Sequence, residues 1–410
     1  MATTLYDASG QEITVGGGTY ESNLTITVGS GGDYETLNAA FEAITEKYPI
    51  YKKGGLAINI QILSGTTINE QIAVQKADFS YVTITAQDEY VPVNVDGFGA
   101  QGLDTHDLRT PNVGAFIGGE NGAGLPCIGC VFKVTQNTNS IAVVGYFANR
   151  SSKGVVLANS GFDGFYDGCI SNNESSITIR QGIAKNMTRW GVHARHNGEV
   201  SARSATLTNC TIGGYADRVA NLDIREADCS ECACAAAAYH GSQICAAGTH
   251  CTNGGSGSGT GTVVSSQSGS MIDCNGMEII DPDCHEIFGV SYGGMMTVCA
   301  LSNFSNRNKC SRYSLSINTF GNFHGWIMAD SAYNSHTLTV SATPSGATIT
   351  VKKSSTATTT IDPDTGETDK WTLLDGTYYV TVSADGYVTN SQSVTISADQ
   401  TLEVELESEL

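Results

Sequence analysis

Proline, tryptophan and positive charge are all scarce in this chain of 410 residues. It contains 7 prolines and 3 tryptophans. Its 41 aspartates and glutamates outnumber its 21 lysines and arginines, which gives a formal net charge of −20. A surface this acidic disfavours binding to nucleic acid or to anionic membranes. Only 15% of the residues are charged, while 47 are glycines. This composition favours an all-β fold with many turns over a helical enzyme.

Long apolar runs are also missing. No run reaches the roughly 18 apolar residues that indicate a membrane-spanning helix. The first residues lack a basic segment followed by an apolar one, which is the pattern of a secretory signal peptide. From the sequence we therefore expect neither membrane insertion nor export through a cleaved signal.

A short pattern recurs six times between residues 177 and 303. Small or apolar residues stand at the start of each copy and two, five and seven positions later; we call these positions offsets 0, +2, +5 and +7. The copies begin 22 to 28 residues apart, at Ile177, Val200, Leu222, Ile244, Ile272 and Met296. A repeat of this length predicts stacked coils, and the alternation within each copy predicts short strands with one inward row.

Stacking explains the inward row, because a single coil cannot bury its own apolar residues whereas neighbouring coils cover one another. The pattern predicts a parallel β-helix, since a four-stranded propeller blade needs a longer period. The inward residues are small or slender, which predicts a narrow interior with little room for aromatic rings. An amphipathic helix is predicted over residues 36–48, with Leu37, Ala40 and Ile44 on its apolar face, as a cap for the N-terminal end.

The cysteines have two interpretations. Cys127–Cys130 and Cys229–Cys234 have spacings that zinc sites use, but no histidine follows at ligand spacing. Cys229 and Cys251 both fall at offset +7 in successive coils, where small thiols stack in the interior. With 13 cysteines and no export signal, a disulfide framework is not expected. We predict buried thiols, no metal and no other cofactor.

Several segments resemble the pectin-lyase-like β-helix proteins of tailed bacteriophages and prophages. They are Val28–Leu37, Tyr48–Gly55, Ile62–Gly65, Gly191–Arg195 and Glu199–Arg203, and the resemblance spans roughly residues 28–330. It implies a right-handed parallel β-helix in a virion tail spike or fibre that is made in the host cytoplasm. It also implies recognition of a host cell-surface polysaccharide, a homotrimer, and attachment to other tail proteins through the N-terminal region.

The last 75 residues change to clean two-residue alternation with Asp-Gly and Ser-Gly turns, which predicts a small antiparallel β-sandwich. Pro344–Ala347 and Asp385–Tyr387 resemble the PEGA domain, which implies binding or presentation at a surface. A cap for the open end of the solenoid is the alternative role. The predicted organisation is an N-terminal arm over 1–27, a parallel β-helix over 28–335 and the sandwich over 336–410.

Outward positions supply the candidate site. Offset +6 carries Asp228, His250 and Glu278 in successive coils, and offset +1 carries Asp223 and Asp273. Asp228 and Glu278, two coils apart, are expected about 9–10 Å from each other, near the upper limit for an inverting glycosidase. They are the candidate catalytic pair, and Asp223, His250 and Asp273 are candidate glycan contacts beside a Gly/Ser loop at 252–261. An ordinary solvated face is the alternative interpretation.

Three classes of function remain open on the sequence. The first is a phage receptor-binding tail spike, and the second is a polysaccharide depolymerase, either a glycoside hydrolase or a lyase, on the same scaffold. The third is a bacterial surface adhesin, which the missing export signal disfavours. The first two differ in whether the glycan is cleaved.

Overall fold

The computed structural model describes residues 5–6, 12–13, 23–47, 57–98, 114–252, 254, 262–280, 286–299, 301, 303–305, 319–320, 326–329, 335–352, 354–355, 357, 360–361, 363–364 and 367–409. The chain divides into two compact units, Met1–Thr206 and Leu207–Leu410. Over the described residues, none of the helical segments has both the length and the apolar character needed to span a membrane.

The first unit consists mainly of short strands. Its described elements are β1 Leu5–Tyr6, β2 Glu12–Ile13, β3 Leu24–Val28, α1 Leu37–Lys47, β4 Ile58–Ile62, β5 Ile72–Gln75, β6 Val82–Ala86, β7 Val91–Asn94, a 3-10 turn Val95–Gly97, β8 Gly114–Glu120, β9 Cys127–Ile128, β10 Val131–Gln136, β11 Val143–Asn149, β12 Lys153–Val155, β13 Gly161–Asp163, β14 Asp167–Asn172, β15 Ser176–Thr178, β16 Ile183–Lys185, β17 Trp190–Arg195 and β18 Glu199–Ser201. Most of the predicted arm at 1–27 lies outside the described residues; within it, β1 pairs with β2 in antiparallel fashion.

From β10 onward, the strands of the first unit join three parallel sheets in rotation. β11, β14 and β17 pair in a wide sheet that extends back through β8 and β5. β12, β15 and β18 form a second sheet, and β7, β10, β13 and β16 a third. β3, β4, β6 and β9 are parallel neighbours on the N-terminal side. Each strand therefore lies beside the equivalent strand of the preceding repeat, as the sequence period predicted.

The interior of the first unit holds more aromatic rings than the slender inward row predicted, so that expectation is wrong here. Its buried rings include Phe116, Phe132, Tyr146, Phe162 and Phe165. The rings of Phe116 and Phe132 lie 4.9 Å apart between centroids, and those of Tyr146 and Phe162 lie 5.9 Å apart. Glycines leave the space: a Cβ on Gly145 would lie 2.7 Å from the Phe162 ring.

Helix α1 is present close to its predicted bounds and begins with an acidic contact. The Glu70 carboxylate accepts hydrogen bonds from the Leu37 N–H at 2.6 Å and the Asn38 N–H at 3.3 Å. A negative charge at this end complements the helix dipole and satisfies amides that have no partner within the helix. Leu37, Ala40 and Ile44 are fully buried, which confirms the predicted apolar face. The predicted end at Tyr48 lies outside the described residues.

The second unit repeats the rotation among parallel sheets. Its described strands are β19 Ile212–Asp217, β20 Asn221–Asp223, β21 Cys234–Tyr239, β22 Gln243–Cys245, β23 His250–Thr252, β24 Thr262–Gln267, β25 Met271–Asp273, β26 Glu278–Ile280, β27 Glu286–Ser291, β28 Met295–Val298, β29 Asn303–Ser305, β30 Thr319–Phe320, β31 Trp326–Ala329, β32 Ser335–Thr343, β33 Thr348–Lys352, β34 Lys370–Leu374, β35 Gly376–Ser383, β36 Asn390–Ile396 and β37 Gln400–Glu405. β19, β21, β24 and β27 pair in parallel, as do β20, β22, β25, β28 and β31, and β23, β26 and β29.

The predicted register of the repeat is confirmed. Residues at offset 0 pair directly: Ile177 with Val200 in the first unit, and Leu222, Ile244, Ile272 and Met296 in turn in the second. The residues at offset +2 are fully buried; they are Ile224, Ala246, Cys274 and Val298. In the last copy the offset +5 residue, Leu301, is half-buried. The side chain of Asn303, at offset +7, is not among those that the structure describes.

The repeat also places cysteines in the interior. Cys229 and Cys251 are fully buried, and the Cys229 N–H donates to the carbonyl of His250 one strand away at 2.8 Å. Burial raises the pKa of the Cys251 thiol to about 12. These thiols are therefore protonated and contribute to packing rather than to chemistry at neutral pH.

A C-terminal β region follows the parallel sheets. β34, β32 and β37 form one sheet and β33, β35 and β36 another, and both contribute to one apolar core that includes Leu338, Val351, Trp371, Tyr378 and Ile396. β32 pairs with β37 in parallel, so the prediction of antiparallel strands throughout is wrong at this pair. The reason is topological: β33, β35 and β36 lie in the other sheet, and β37 returns to β32 in the same direction.

The first unit also buries an ion pair in its wide sheet. Asp167 is fully buried at the start of β14, and Arg189 Nε donates to its Oδ1 at 2.8 Å. The guanidinium carbon lies 3.6 Å from the centroid of the Trp190 ring. Burial raises the pKa of Asp167 although the bonds from Arg189 oppose that rise. The pair ties the start of β14 to the start of β17.

His193 lies next to this pair on β17 and is fully enclosed. Its ring centroid is 4.1 Å from that of Trp190. Burial lowers the pKa of His193 well below its ordinary 6.5, and the positive charges of Arg195 and Arg189 act in the same direction. The imidazole is therefore neutral in the folded protein at neutral pH and stays neutral as the pH falls below 6.5.

We predict that the first unit loses stability as the pH falls from 7 to 5 because of His193. The unfolded chain binds a proton there below about pH 6.5 and the folded chain does not, so the free energy of unfolding falls by about 2 kcal/mol in total between pH 7 and pH 5, most steeply at the acid end. Urea unfolding of wild type, His193→Gln and the half-exposed control His196→Gln at pH 5, 6 and 7 measures this. His193→Gln should flatten the slope and His196→Gln should keep it. Equal slopes for wild type and His193→Gln would contradict the assignment.

Candidate functional site

Three of the predicted site residues form a ladder across neighbouring strands. Asp228 bridges to His250 in parallel register, and His250 pairs with Glu278 in the same way. The residues that follow each of them, Cys229 and Cys251 among them, point inward and are fully buried. Since successive side chains of a strand point to opposite faces, the ladder lies on the outer face. The prediction that offset +6 points outward is confirmed.

Hydrogen bonds join the ladder into one network. His250 Nδ1 lies 2.6 Å from Glu278 Oε2, and its Nε2 lies 3.0 Å from the Thr252 hydroxyl. The Thr252 N–H donates to Ser230 Oγ at 3.1 Å, and the Ser230 N–H donates to Asp228 Oδ1 at 3.0 Å. The side chains of His250 and Glu278 are 38% and 34% exposed, so both are held in place and still reach solvent.

The other two predicted residues form a separate ladder on the β20–β22–β25–β28 sheet. Asp223 and Asp273 both pair in register with Cys245 between them. Arg225 donates two hydrogen bonds to the Asp223 carboxylate, from Nε to Oδ1 at 2.8 Å and from Nη2 to Oδ2 at 2.6 Å. Asp273 Oδ1 accepts from the Thr297 hydroxyl at 3.0 Å. Both carboxylate oxygens of Asp223 are thus already hydrogen-bonded within the chain.

The five predicted residues therefore do not form one cluster. Asp228, His250 and Glu278 come together on one sheet, while Asp223 and Asp273 lie on another, with the chain turning between Ile224 and Ala227. The loop predicted to wall this site, 252–261, lies outside the described residues except at Thr252 and Gly254.

The ladder suits binding better than inverting hydrolysis. Two strand spacings separate Asp228 from Glu278, about 9–10 Å along the sheet. An inverting glycosidase needs the space between its two carboxyl groups for a water and a sugar. Here the imidazole of His250 occupies that interval and is bonded to Glu278 at 2.6 Å. Carboxylate and imidazole groups at fixed spacing instead offer hydrogen-bond partners to a polyhydroxylated ligand.

A second polar group, on the outer face of β19, β21 and β24, was missed from the sequence. The rings of Tyr215 and Tyr239 lie 5.5 Å apart between centroids. His240 Nδ1 lies 2.5 Å from Asp217 Oδ1, and Gln267 Nε2 donates to Ser265 Oγ at 3.2 Å. Asp217 and Tyr239 pair in register one repeat apart. The same alternation, applied to the strand before each repeat copy, would have placed Tyr215, Asp217, Tyr239, Ser265 and Gln267 on one face of this sheet.

The described part of the chain offers no metal centre. No group of three or more His, Cys, Asp or Glu side chains there could hold a metal ion. In the Cys127–Cys130 pair considered for zinc, Cys130 is buried, and burial raises the pKa of its thiol to about 12. A structural zinc site uses four ligands, and no group of even three candidate side chains occurs in the described part of the chain.

Comparison with known protein families identifies a domain in one part of the chain. Residues 335–409 match the family model of the PEGA domain. The PEGA domain predicted at the C-terminus is therefore confirmed. It comprises β32 to β37 and the bridge from Tyr387 to Ser408. No curated protein matches the chain.

Buried polar groups of the PEGA domain serve its fold. Asp364 is buried, and its carboxylate accepts from the Thr372 N–H at 3.0 Å and from the Thr372 hydroxyl at 2.8 Å. The Trp371 ring N–H donates to the carbonyl of Ile361 at 3.0 Å. These bonds fix the segment before β34 over the apolar core, because a buried polar group costs stability unless it is paired.

Proposed function

We propose that this chain is a tail spike or receptor-binding protein of a tailed bacteriophage that recognises a glycan of the host envelope. In this proposal the parallel sheets belong to a right-handed parallel β-helix over 28–335. Helix α1 caps its N-terminal end, and the PEGA domain is a β-sandwich over 336–410. The strand rotation and the residues that resemble phage β-helix proteins support the architecture.

The hydrogen-bonded ladder of Asp228, His250 and Glu278 carries the proposal for binding. Parallel pairing repeats these side chains at the strand spacing of about 4.8 Å, on a surface that cannot shift without breaking the ladder of backbone bonds. Sugar hydroxyls donate well to carboxylates, and such charge-assisted bonds are stronger than neutral ones. Asp223 and Asp273 extend the acidic surface on the neighbouring sheet.

A polysaccharide depolymerase on the same scaffold is the second function considered. It would use Asp228 as one carboxyl group and Glu278 as the other, one protonating the leaving oxygen and the other activating water. The position of His250 between them favours binding alone. The two functions separate in one experiment, because only the depolymerase generates new reducing ends.

We predict that Glu278→Gln and His250→Asn each weaken binding to the host polysaccharide at least about tenfold, since a hydrogen bond to a charged group contributes about 1.5–3 kcal/mol. Glu199→Gln, an exposed outer residue of the first unit, is the matched control and should bind as wild type. The measurement is affinity for purified capsule and O-antigen of candidate hosts, with an assay for reducing ends on the same samples. If both ladder variants bind as tightly as wild type, the ladder is a solvated face and the proposal fails.

The chain is also proposed to assemble as a homotrimer, with its N-terminal region joined to other proteins of the virion tail. Repeated low-affinity sites on one particle gain avidity, which suits attachment to a repetitive glycan. Light scattering should then give about three times the chain mass of 43.0 kDa. A mass near that of a single chain at micromolar concentration would contradict the trimer.

A further inference from the structure

The outer face of the β33–β35–β36 sheet in the PEGA domain has an unusual composition. Along these strands Val351, Val380, Val382 and Ile396 point into the core and are buried. Strand alternation turns the residues between them to the other side. We call this side the hydroxyl face; it consists of Thr348, Thr350, Lys352, Thr377, Tyr379, Thr381, Ser383, Ser391, Ser393 and Thr395. All but one of these residues carry a hydroxyl group.

Strand pairing sets the hydroxyl groups in rows. Thr377 pairs with Thr395, and their hydroxyl oxygens lie 3.1 Å apart. Thr381 pairs with Ser391, and their hydroxyl oxygens lie 3.0 Å apart. Each such pair uses one O–H for its internal bond, which leaves the second O–H and several lone pairs directed outward. The rows repeat about every 7 Å along the strands and about 4.8 Å across them.

Tyr379 lies at the centre of this array. It pairs with Lys352 on one side and with Ser393 on the other, and it is half-buried. An aromatic ring with polar neighbours offers one apolar surface among hydrogen-bonding groups. Sugars have the matching pattern, because the ring C–H groups form an apolar face and the hydroxyls project around it.

Charge separates the hydroxyl face from the rest of the protein. It carries no carboxylate, although the chain has 41 acidic residues and a net charge of −20. The outer face of the other PEGA sheet carries exposed Glu403 and Glu405, which pair with Ser341 and Thr343. The one charged group of the hydroxyl face is the ammonium of Lys352, which a long flexible stem can keep in water. The other donors and acceptors complement an uncharged ligand, which need not give up the hydration of an ion.

We propose that the hydroxyl face of the PEGA domain binds an uncharged polysaccharide. The hydroxyl rows exchange hydrogen bonds with the sugar hydroxyls, and the Tyr379 ring packs against the face of one sugar ring. This site is separate in residues and in ligand charge from the acidic ladder at Asp228, His250 and Glu278. It does not depend on the function proposed for that ladder.

Affinity electrophoresis of the full chain tests the proposal. The probes are four neutral polysaccharides, dextran, mannan, galactan and amylose, with polygalacturonate as the anionic comparison. We expect at least one neutral polymer to retard the chain and polygalacturonate to leave it unretarded. No retardation by any neutral polymer, or retardation by polygalacturonate alone, overturns the proposal.

Three variants locate the site. Ser393→Glu places a charge in the array, and Tyr379→Thr removes the ring while keeping a residue with high β propensity. Each should weaken binding about tenfold or more. Thr401→Glu puts the same charge on an exposed position of the opposite sheet and should leave binding unchanged. Thermal unfolding of each variant confirms that the domain is folded, and a binding loss in Thr401→Glu equal to that in Ser393→Glu overturns the assignment.

Glu278→Gln separates this site from the ladder. The variant should bind the neutral polymer as wild type does, whatever its effect on an envelope glycan. If Glu278→Gln abolishes binding to the neutral polymer and Tyr379→Thr does not, the hydroxyl face is not the binding surface.

Discussion

The parallel pairing of each strand with its equivalent one repeat earlier is the constraint on which the rest of the structure depends. A strand cannot shift along its neighbour by one residue without turning its whole inward row to solvent. The inward residues are small or slender at offsets 0 and +2, as Ile224, Ala246 and Cys274 show, and all three are fully buried. Backbone bonding and burial of the inward row therefore fix the same register, and every outward side chain follows from it.

The outward ladders are a consequence of that register. His250 meets Glu278 and Asp223 aligns with Asp273 because their inward neighbours must stack. The geometry that brings Asp228 and Glu278 onto one row also puts His250 between them, which favours a binding surface over a catalytic pair. The PEGA domain uses the same two-residue alternation on a different sheet, where it lines up hydroxyl groups instead of charges.

The sequence predicted the features that depend on periodicity and missed those that depend on three-dimensional fit. The repeat positions, their burial and the outward rows all follow from alternation, and the PEGA domain was recognisable from its turns. The aromatic interior around Phe116 and Phe162 was not foreseen, because the glycines that make room for it have no periodic signature. The buried pair of Asp167 and Arg189 was missed too, since nothing in either residue's local sequence marks it as an interior ion pair. The split of the five site residues over two sheets follows from a corner between offsets +2 and +5, which the break in alternation predicts and the turn at 224–227 shows.

Adjacent alanines allow the most direct test of the register. Ala246 is fully buried at offset +2, and Ala247 next to it is only half-buried. Urea unfolding of Ala246→Asp and Ala247→Asp compares the same new charge at two adjacent positions just after β22, one buried and one half-buried. We expect Ala246→Asp to cost at least about 3 kcal/mol, because it buries an unpaired charge, and Ala247→Asp to stay within about 0.5 kcal/mol of wild type. Equal costs, or a larger cost at Ala247, would contradict the register and with it every outward assignment.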